Sequence, residues 1–590
     1  MGGRMTWQPS GERRVTRRWV LRATGAAASA AGLAAIGCSG GSKEQEPDPA
    51  SPLPDESATP TRSAGSPTPA RPSAKHGETL RYTGYVQRDI FADPHRTQAG
   101  PFYGQQALVF SRLLSYADQA QGTIVADLAE NLPEMPDGQT LIFRLRQGAR
   151  WQDLAPLNGR AVTAEDVKHS IERQLTGDTT FARAPQWAAI DTMEVSDPRT
   201  IRFKLKAPLA TMQHRFADVN SFIVAPELSD DKGEIGLDRQ IGSGPFQWVE
   251  WRDERFASAR RNPGWHGGDQ RPFLDGLSLI QPSTTAEVEA GLRTKDIDVA
   301  FVSQSLATRM KRSLPELVEQ TVGHSLFFGV RYSLVNAPYD DIRVRSALTI
   351  ALDRRGMIER FFGGAGGMNP WISWPVSRWT LPESELTSLP GYRPGAGGRA
   401  EDLREARALL DAYLSTKKLP EDGLPLLVLD TAEAQTGMGQ LISEQLAAGL
   451  GIAVAVHPVD LATLSGMLLS AKAPFAAGPD TGWIDLDDWV YPYFHSAGTK
   501  NSFPLVDKEL DGLIDRQRQE FDGKQRQQAG YEIQRRLLAL NAGVNLVSER
   551  VVTLSWPYVK GFPLDTTDGY QDRFANCWID RSDPTYRART

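Results

Sequence analysis

The first 76 residues offer almost nothing that could join a packed core, and this limits where folding can begin. Residues 1–37 hold six Arg and one Glu, a charge of +5, and from Trp19 to Gly37 the side chains are mostly Ala, Gly and other small or apolar groups. A basic stretch followed by an apolar one reads as a targeting segment, to be set aside before the fold is considered. From Ser39 to His76 the chain is Gly, Ser, Pro, Thr and charged residues, with eight prolines between Pro47 and Pro72. So little apolar surface cannot offset the entropy of ordering the backbone. The stretch is a tether, part flexible coil and part extended polyproline, that can hold a folded body away from a surface.

Within the basic segment, Thr16-Arg17-Arg18-Trp19-Val20-Leu21-Arg22 resembles the twin-arginine export signal, with Val where the pattern prefers Phe and Arg where it prefers Lys. An ordinary Sec signal peptide is the alternative, and export is expected by either route. The apolar stretch ends Leu33-Ala34-Ala35-Ile36-Gly37-Cys38, which resembles a bacterial lipobox except for Ala35, where Leu is usual. The resemblance implies that Cys38 is diacylated and becomes the new N-terminus; two acyl chains suffice for stable attachment where one does not. Cleavage to a free secreted protein is the alternative. Cys577 is the only other cysteine, which excludes a disulfide framework and predicts a buried small hydrophobe.

The remainder is long enough for two or three packed units. The whole chain's 40% apolar and 23% charged residues are those of a folded protein. The whole chain carries −6, and −11 falls on the part from Cys38 onward, so no basic surplus exists to neutralise phosphates and nucleic acid is not an expected partner. Beyond the signal no run of 18 apolar residues suggests a membrane span. The patterning is that of a mixed α/β protein. Thr140–Leu145 and Thr200–Leu205 alternate apolar and polar residues as half-buried strands do. Thr163 stands three residues before Asp166 and Val167, Ile171 and Leu175 recur at spacing four, predicting a capped amphipathic helix. Another helix is predicted over 340–353, with Val344, Leu348, Ala351 and Leu352 on its buried face and its arginines solvated. Residues 426–429, 440–450 and 452–456 read as a βαβ unit stopped at Gly451, with the loop after Asp430 as a place for a ligand.

Eight scattered His with no His-Glu-x-x-His pair, and no Cys-x-x-Cys, give no signal for a metal site. Gly242-Ser243-Gly244-Pro245 lacks the helix that follows a nucleophile elbow, and the Gly-rich run 363–367 lacks a phosphate-loop Lys and reads as a turn. The suggestive cluster is Gly482-Trp483-Ile484-Asp485-Leu486-Asp487-Asp488-Trp489, followed by Tyr491, Tyr493 and Phe494. Aromatic faces beside carboxylates suit a site that packs apolar groups and pairs an ammonium; an exposed acidic loop with Trp483 in the core is the alternative. Trp371 and Trp374 are candidates to line the same space, with ordinary core aromatics as their alternative.

Six ordered blocks carry a family resemblance. They are Ala126-Asp127-Leu128-Ala129-Glu130 with Phe143 to Trp151, Leu157-Asn158-Gly159 to Val167, Ile241-Gly242-Ser243-Gly244-Pro245-Phe246, Arg261-Asn262-Pro263-Gly264-Trp265, Asp296-Ile297-Asp298-Val299-Ala300, and Pro338 to Asp341 with Arg343-Val344-Arg345 and Ala351-Leu352-Asp353-Arg354. In this order the chain resembles the family 5 extracellular solute-binding proteins, the peptide-, oligopeptide- and nickel-binding lipoproteins of ABC importers. The resemblance implies an α/β, two-lobed, periplasmic-binding-protein type II-like fold with an additional small α/β domain in the first lobe. The division it implies is signal 1–37, tether 38–76, first lobe 77–110, accessory subdomain 111–220, first lobe again 221–322, second lobe 323–540 and first lobe 541–590.

It also implies capture of a small solute, expected to be a peptide or oligopeptide, by a monomer that delivers it to an ABC permease and its ATPases while held to the membrane by its lipid. No catalytic residue, cofactor or metal ligand is expected, and whether chelated metal or haem is carried stays open. A sensor of the same fold and an exported hydrolase are the alternatives. In peptide-binding relatives a Trp is followed three residues later by an Asp that pairs the ligand's ammonium. Here Leu486 stands at that spacing from Trp483, so Asp485 carries the role over by a one-residue gap and Asp487 is the alternative, with Trp374 and Tyr103 assigned to the same site.

Overall fold

The computed structural model describes residues 76–588 except 85, 87–91, 97–99, 177, 179, 182, 253–254, 269, 369–377, 431–432, 471–472, 482–483, 500, 502–503 and 565–568. Arg17, Arg18, Cys38, nearly all of the tether, Trp371, Trp374, Trp483 and the loop after Asp430 lie outside the described residues. Among the described residues no helix is long and apolar enough to cross a membrane.

One sheet of 11 strands runs through the body, from Val454–Val459 at one edge to Phe246–Arg252 at the other. Its middle is made by the two longest strands, Val318–Tyr332 and Gly543–Ser555, of 15 and 13 residues. They pair antiparallel from Val318 opposite Ser555 to Arg331 opposite Gly543, and their register slips between Gly323 and Phe327 and again between Phe328 and Gly329. The slip lies where the hydrophobic core divides. Val552 and Leu554 enter one buried cluster with the strands Thr79–Thr83, Gly276–Ile280 and Val299–Val302. Val330, Tyr332, Val544 and Leu546 enter a second, with Leu424–Leu429. The expected two-lobed α/β body is therefore present, joined by a pair of crossing strands. An irregular register of this kind disrupts the ladder locally.

The local expectations fare differently according to what faces them. Thr140–Arg144 and Thr200–Leu205 are strands of a three-stranded antiparallel sheet completed by Ile190–Asp197. The helix Ala164–Glu172 packs on this sheet and opens with the Thr163 N–H donating to Asp166 Oδ2 at 2.9 Å. Leu175 falls beyond that helix in a 3₁₀ turn and is 42% exposed, so the run of spacing four overstated the buried face. The helix Ile342–Ile350 buries Val344 and Leu348. Arg345, expected in solvent, is 6% exposed. Its guanidinium donates to the carbonyls of Tyr339, Leu540 and Asn541 at 2.6, 2.9 and 2.9 Å, where the last turn of the helix Gly523–Leu540 leaves carbonyls unpaired and concentrates negative potential.

The βαβ unit is Leu424–Leu429, Glu433–Leu450 and Val454–Val459, its strands parallel, with Gly451 at φ +70° ending the helix. Gly244 donates its N–H to Val109 O at 2.6 Å, and a Cβ at Gly242 or Gly244 would meet the Val109 carbonyl. The segment is thus a close backbone crossing. In the Gly-rich run, Gly363 closes the helix Arg354–Phe362 as a turn residue, whereas Gly366–Met368 adds a short strand beside Gly543–Ser555. Cys577 is fully buried, its thiol donating to Gly561 O at 3.3 Å.

Candidate functional site

A third buried cluster packs the helices Leu486–Phe494, Lys508–Gln519 and Gly523–Leu540 around Trp379, Leu486, Trp489, Ile514 and Ile533. The first of these helices faces the short helix Met212–Phe216, whose Met212 and Phe216 belong to the first lobe's core. Where the two helices meet, charged side chains are buried together across the seam between the lobes.

Asp485 is the N-cap of Leu486–Phe494 and accepts the Asp487 N–H at 2.9 Å. Arg526 donates Nη1 to its Oδ2 at 2.8 Å and Nη2 to its Oδ1 at 2.6 Å. Across the seam His214 Nε2 stands 3.4 Å from Asp485 Oδ2, while its Nδ1 is 2.9 Å from the Tyr116 hydroxyl. Burial pushes the His214 imidazole down to about 4. A neutral ring that takes the Tyr116 proton at Nδ1 and offers Nε2–H to Asp485 satisfies both contacts. Burial opposes the charge of Asp485, but Arg526 and then His214 outweigh it and hold the carboxyl well below its ordinary range.

Asp487 is just as fully engaged. Arg215 Nη2 lies 2.9 Å and Thr211 Oγ1 3.3 Å from its Oδ2, both from the other lobe. Gln517 donates to Oδ1 at 2.8 Å, and Arg518, stacked on Tyr491 with 3.8 Å to the ring centroid, pairs at 3.2 Å. Asp485 is 2% and Asp487 1% exposed. A solute cation reaching either carboxylate must share or displace an arginine.

Asp488 differs. It is half-buried one residue further on and has no hydrogen bond or ion pair among the described residues. Burial first, and the charge of Asp218 second, push its carboxyl up to about 7. Asp218 belongs to the first lobe; it takes Arg183 at 3.3 Å and the Gln186 amide nitrogen at 3.2 Å. Arg183 also donates to Asn220 at 3.3 Å. Tyr103, on the helix Gly100–Val109, is buried beside Arg183, Asp218 and Asn220, and burial raises its phenol to about 12.

Of the residues singled out from the sequence, Asp485, Asp487 and Tyr103 thus gather on one seam, whereas Trp374 and Trp483 are not among those described. Their partners His214, Arg215, Asp218, Arg183, Arg518 and Arg526 were not anticipated. No short motif marks them, because Arg215 and Asp487 are 272 positions apart.

Residues 123–502 match the model of the bacterial extracellular solute-binding proteins, family 5, middle region. A Brucella ovis protein named for ABC transporter peptide binding is 29% identical over 427 residues, covering 69% of this chain and 76% of that one. The oligopeptide-binding protein of Bacillus subtilis, solved with a nonapeptide, superposes with a TM-score of 0.68 at 18% identity over 86% of this chain and 100% of that one. A Helicobacter pylori periplasmic binding protein in complex with the peptide STSA gives 0.67 at 18% identity over 86% and 99%. At such identities the two structures share the fold with this chain.

Proposed function

The chain belongs to the bacterial extracellular solute-binding proteins, family 5, and on that premise we propose that it captures a peptide or oligopeptide between its lobes by hinge closure and delivers it to an ABC import permease and its ATPases. Its place of work is outside the cytoplasm. The relatives named above are binding proteins.

The observation that carries the reading is the seam. Helix Leu486–Phe494 of one lobe meets helix Met212–Phe216 of the other through buried polar groups, and the lobes are joined by two strands whose register slips between the cores. A solute lodged beside that seam favours the closed form to the extent that it contacts both sides. Peptide as the solute is supported by the Brucella relative's name and by the two peptide complexes. Trp483, Trp374 and Tyr103 are assigned to the aromatic lining, and Asp485 and Asp487 to its charged wall.

Acylation at Cys38, export through Arg17 and Arg18, a monomeric state and the division into tether, lobes and accessory subdomain at the boundaries given above belong to the same proposal and rest on the sequence. Native mass spectrometry of protein purified from its own host tests the solute class. Bound masses that fragment as peptides are expected; a stoichiometric chelated metal, haem or other non-peptide cargo overturns the peptide assignment.

A further inference from the structure

Across the seam each lobe keeps its own half of the contacts. Asp487 divides its two oxygens: Oδ1 accepts from Gln517 at 2.8 Å and pairs with Arg518 at 3.2 Å, both on its own lobe, whereas Oδ2 accepts from Arg215 Nη2 at 2.9 Å and Thr211 Oγ1 at 3.3 Å on the other. Asp485 repeats the division. Its Oδ1 accepts the Asp487 N–H and one nitrogen of Arg526, and its Oδ2, besides the second Arg526 nitrogen, faces His214 Nε2 at 3.4 Å. On the first lobe Arg215 gives Nη1 to Gln186 O at 2.5 Å and Nη2 to the seam.

The backbone takes part as well. The Ala210 N–H donates to Arg518 O at 2.8 Å, and the Arg378 N–H to Ala120 O at 3.3 Å. Segment 210–215 thus offers main-chain and side-chain donors to two acids and one carbonyl of the second lobe. Breaking a buried ion pair by removing one partner is costly because it leaves a charge uncompensated. Opening this seam leaves none: Asp487 keeps Gln517 and Arg518, Arg215 keeps the Gln186 carbonyl, and the separated faces meet water. Every one of these contacts joins protein to protein, so its contribution to closure is the same whichever solute is bound.

Resting on the reading of capture by closure above, we propose that the Arg215–Asp487 pair, with Thr211 beside it, is a latch that holds part of the empty protein closed and so raises the affinity for every solute by a common factor. Arg215 is a positioning residue. It acts on the solute through the closed fraction, because the apparent dissociation constant is the intrinsic one divided by that fraction. Losing a hydrogen bond to a charged group shifts the open–closed ratio by about tenfold. From an even division the closed fraction then falls from about one half to about one tenth, and every affinity falls about fivefold.

Small-angle scattering of the chain stripped of cargo by partial unfolding and refolding, and calorimetric titration of the same sample with random tri-, tetra- and pentapeptide pools, test this on Arg215→Leu. The empty variant is expected to have a larger radius of gyration than the empty parent, and binding of the three pools is expected to weaken about fivefold alike. Thr211→Val, which removes a neutral donor to the same carboxylate, is expected to move both readings the same way by less, and its radius decides the matter if Arg215→Leu does not fold. An unchanged radius overturns the latch. So do losses in Arg215→Leu that stay within about twofold, or that differ from pool to pool as they would if Arg215 touched the solute; capture by closure stands in each of these cases. If the parent binds none of the pools, the peptide assignment falls and the radius alone decides the latch.

Discussion

Arg526 and Asp485 form a two-point pair, Nη1 to Oδ2 at 2.8 Å and Nη2 to Oδ1 at 2.6 Å, with both side chains almost entirely withdrawn from solvent. Forked geometry of this kind is the strong form of the ion pair. It also ties the N-cap of Leu486–Phe494 to the helix Gly523–Leu540, so the pair holds the second lobe's helices in place and sets where the rest of the acidic run points.

Removing one partner leaves a buried charge without compensation, which costs about 3–5 kcal/mol. Arg526→Leu is therefore expected to lower the unfolding free energy extrapolated from urea titration by that amount, whereas Arg516→Ala, which breaks an exposed pair with Glu532, is expected to cost about 0–1 kcal/mol. Equal, small shifts in the two variants would mean that the buried pair does not hold the helices.

Asp488 predicts a pH dependence of the unliganded protein with a definite sign. Its carboxyl is raised from 3.8 to about 7, so the folded state holds the proton more tightly than the unfolded chain. The stability this supplies is fully present below the unfolded value and is lost as pH rises through about 7. Asp485, shifted the other way, supplies stability that is lost only as pH falls below its unfolded value. Melting curves from pH 4 to 8 are expected to show a smaller decline in Asp488→Asn than in the parent. Parallel curves would place the Asp488 carboxyl in ordinary solvent.

Much of the fold could be read from local sequence because local physics decides it. Thr163 and Asp166 make their reciprocal cap whatever lies elsewhere, and Gly451 ends its helix because it accepts a positive φ. The reading failed where a distant element took over. Arg345 looks solvated until the carbonyl end of Gly523–Leu540, nearly two hundred positions away, is packed against it. The seam failed to appear for the same reason. The acidic run was legible as chemistry, but which of its carboxylates is spent depends on Arg215, 272 positions from Asp487, and on Arg526, 41 from Asp485.

The lipobox-like stretch before Cys38 and the Pro-rich tether after it predict a membrane-anchored protein. Cys38→Ala is expected to move it to the medium or the soluble extracytoplasmic fraction. A variant that stays in membranes after a carbonate wash contradicts acylation at this residue.

The pair Arg17-Arg18 predicts export of an already folded chain. Changing both to Lys is expected to leave precursor in the cytoplasm, read by immunoblotting of fractions. Unchanged export assigns the signal to the Sec route.

The two lobes are expected to close on a solute at the seam between helices Met212–Phe216 and Leu486–Phe494. The most direct measurement is small-angle scattering on the protein stripped of cargo by partial unfolding and refolding, then reloaded with the cargo recovered from it. The radius of gyration is expected to fall on reloading, and at a hundredfold excess over the dissociation constant the folded state is expected to gain about 2.7 kcal/mol. Saturation by that cargo with an unchanged radius of gyration contradicts capture by closure.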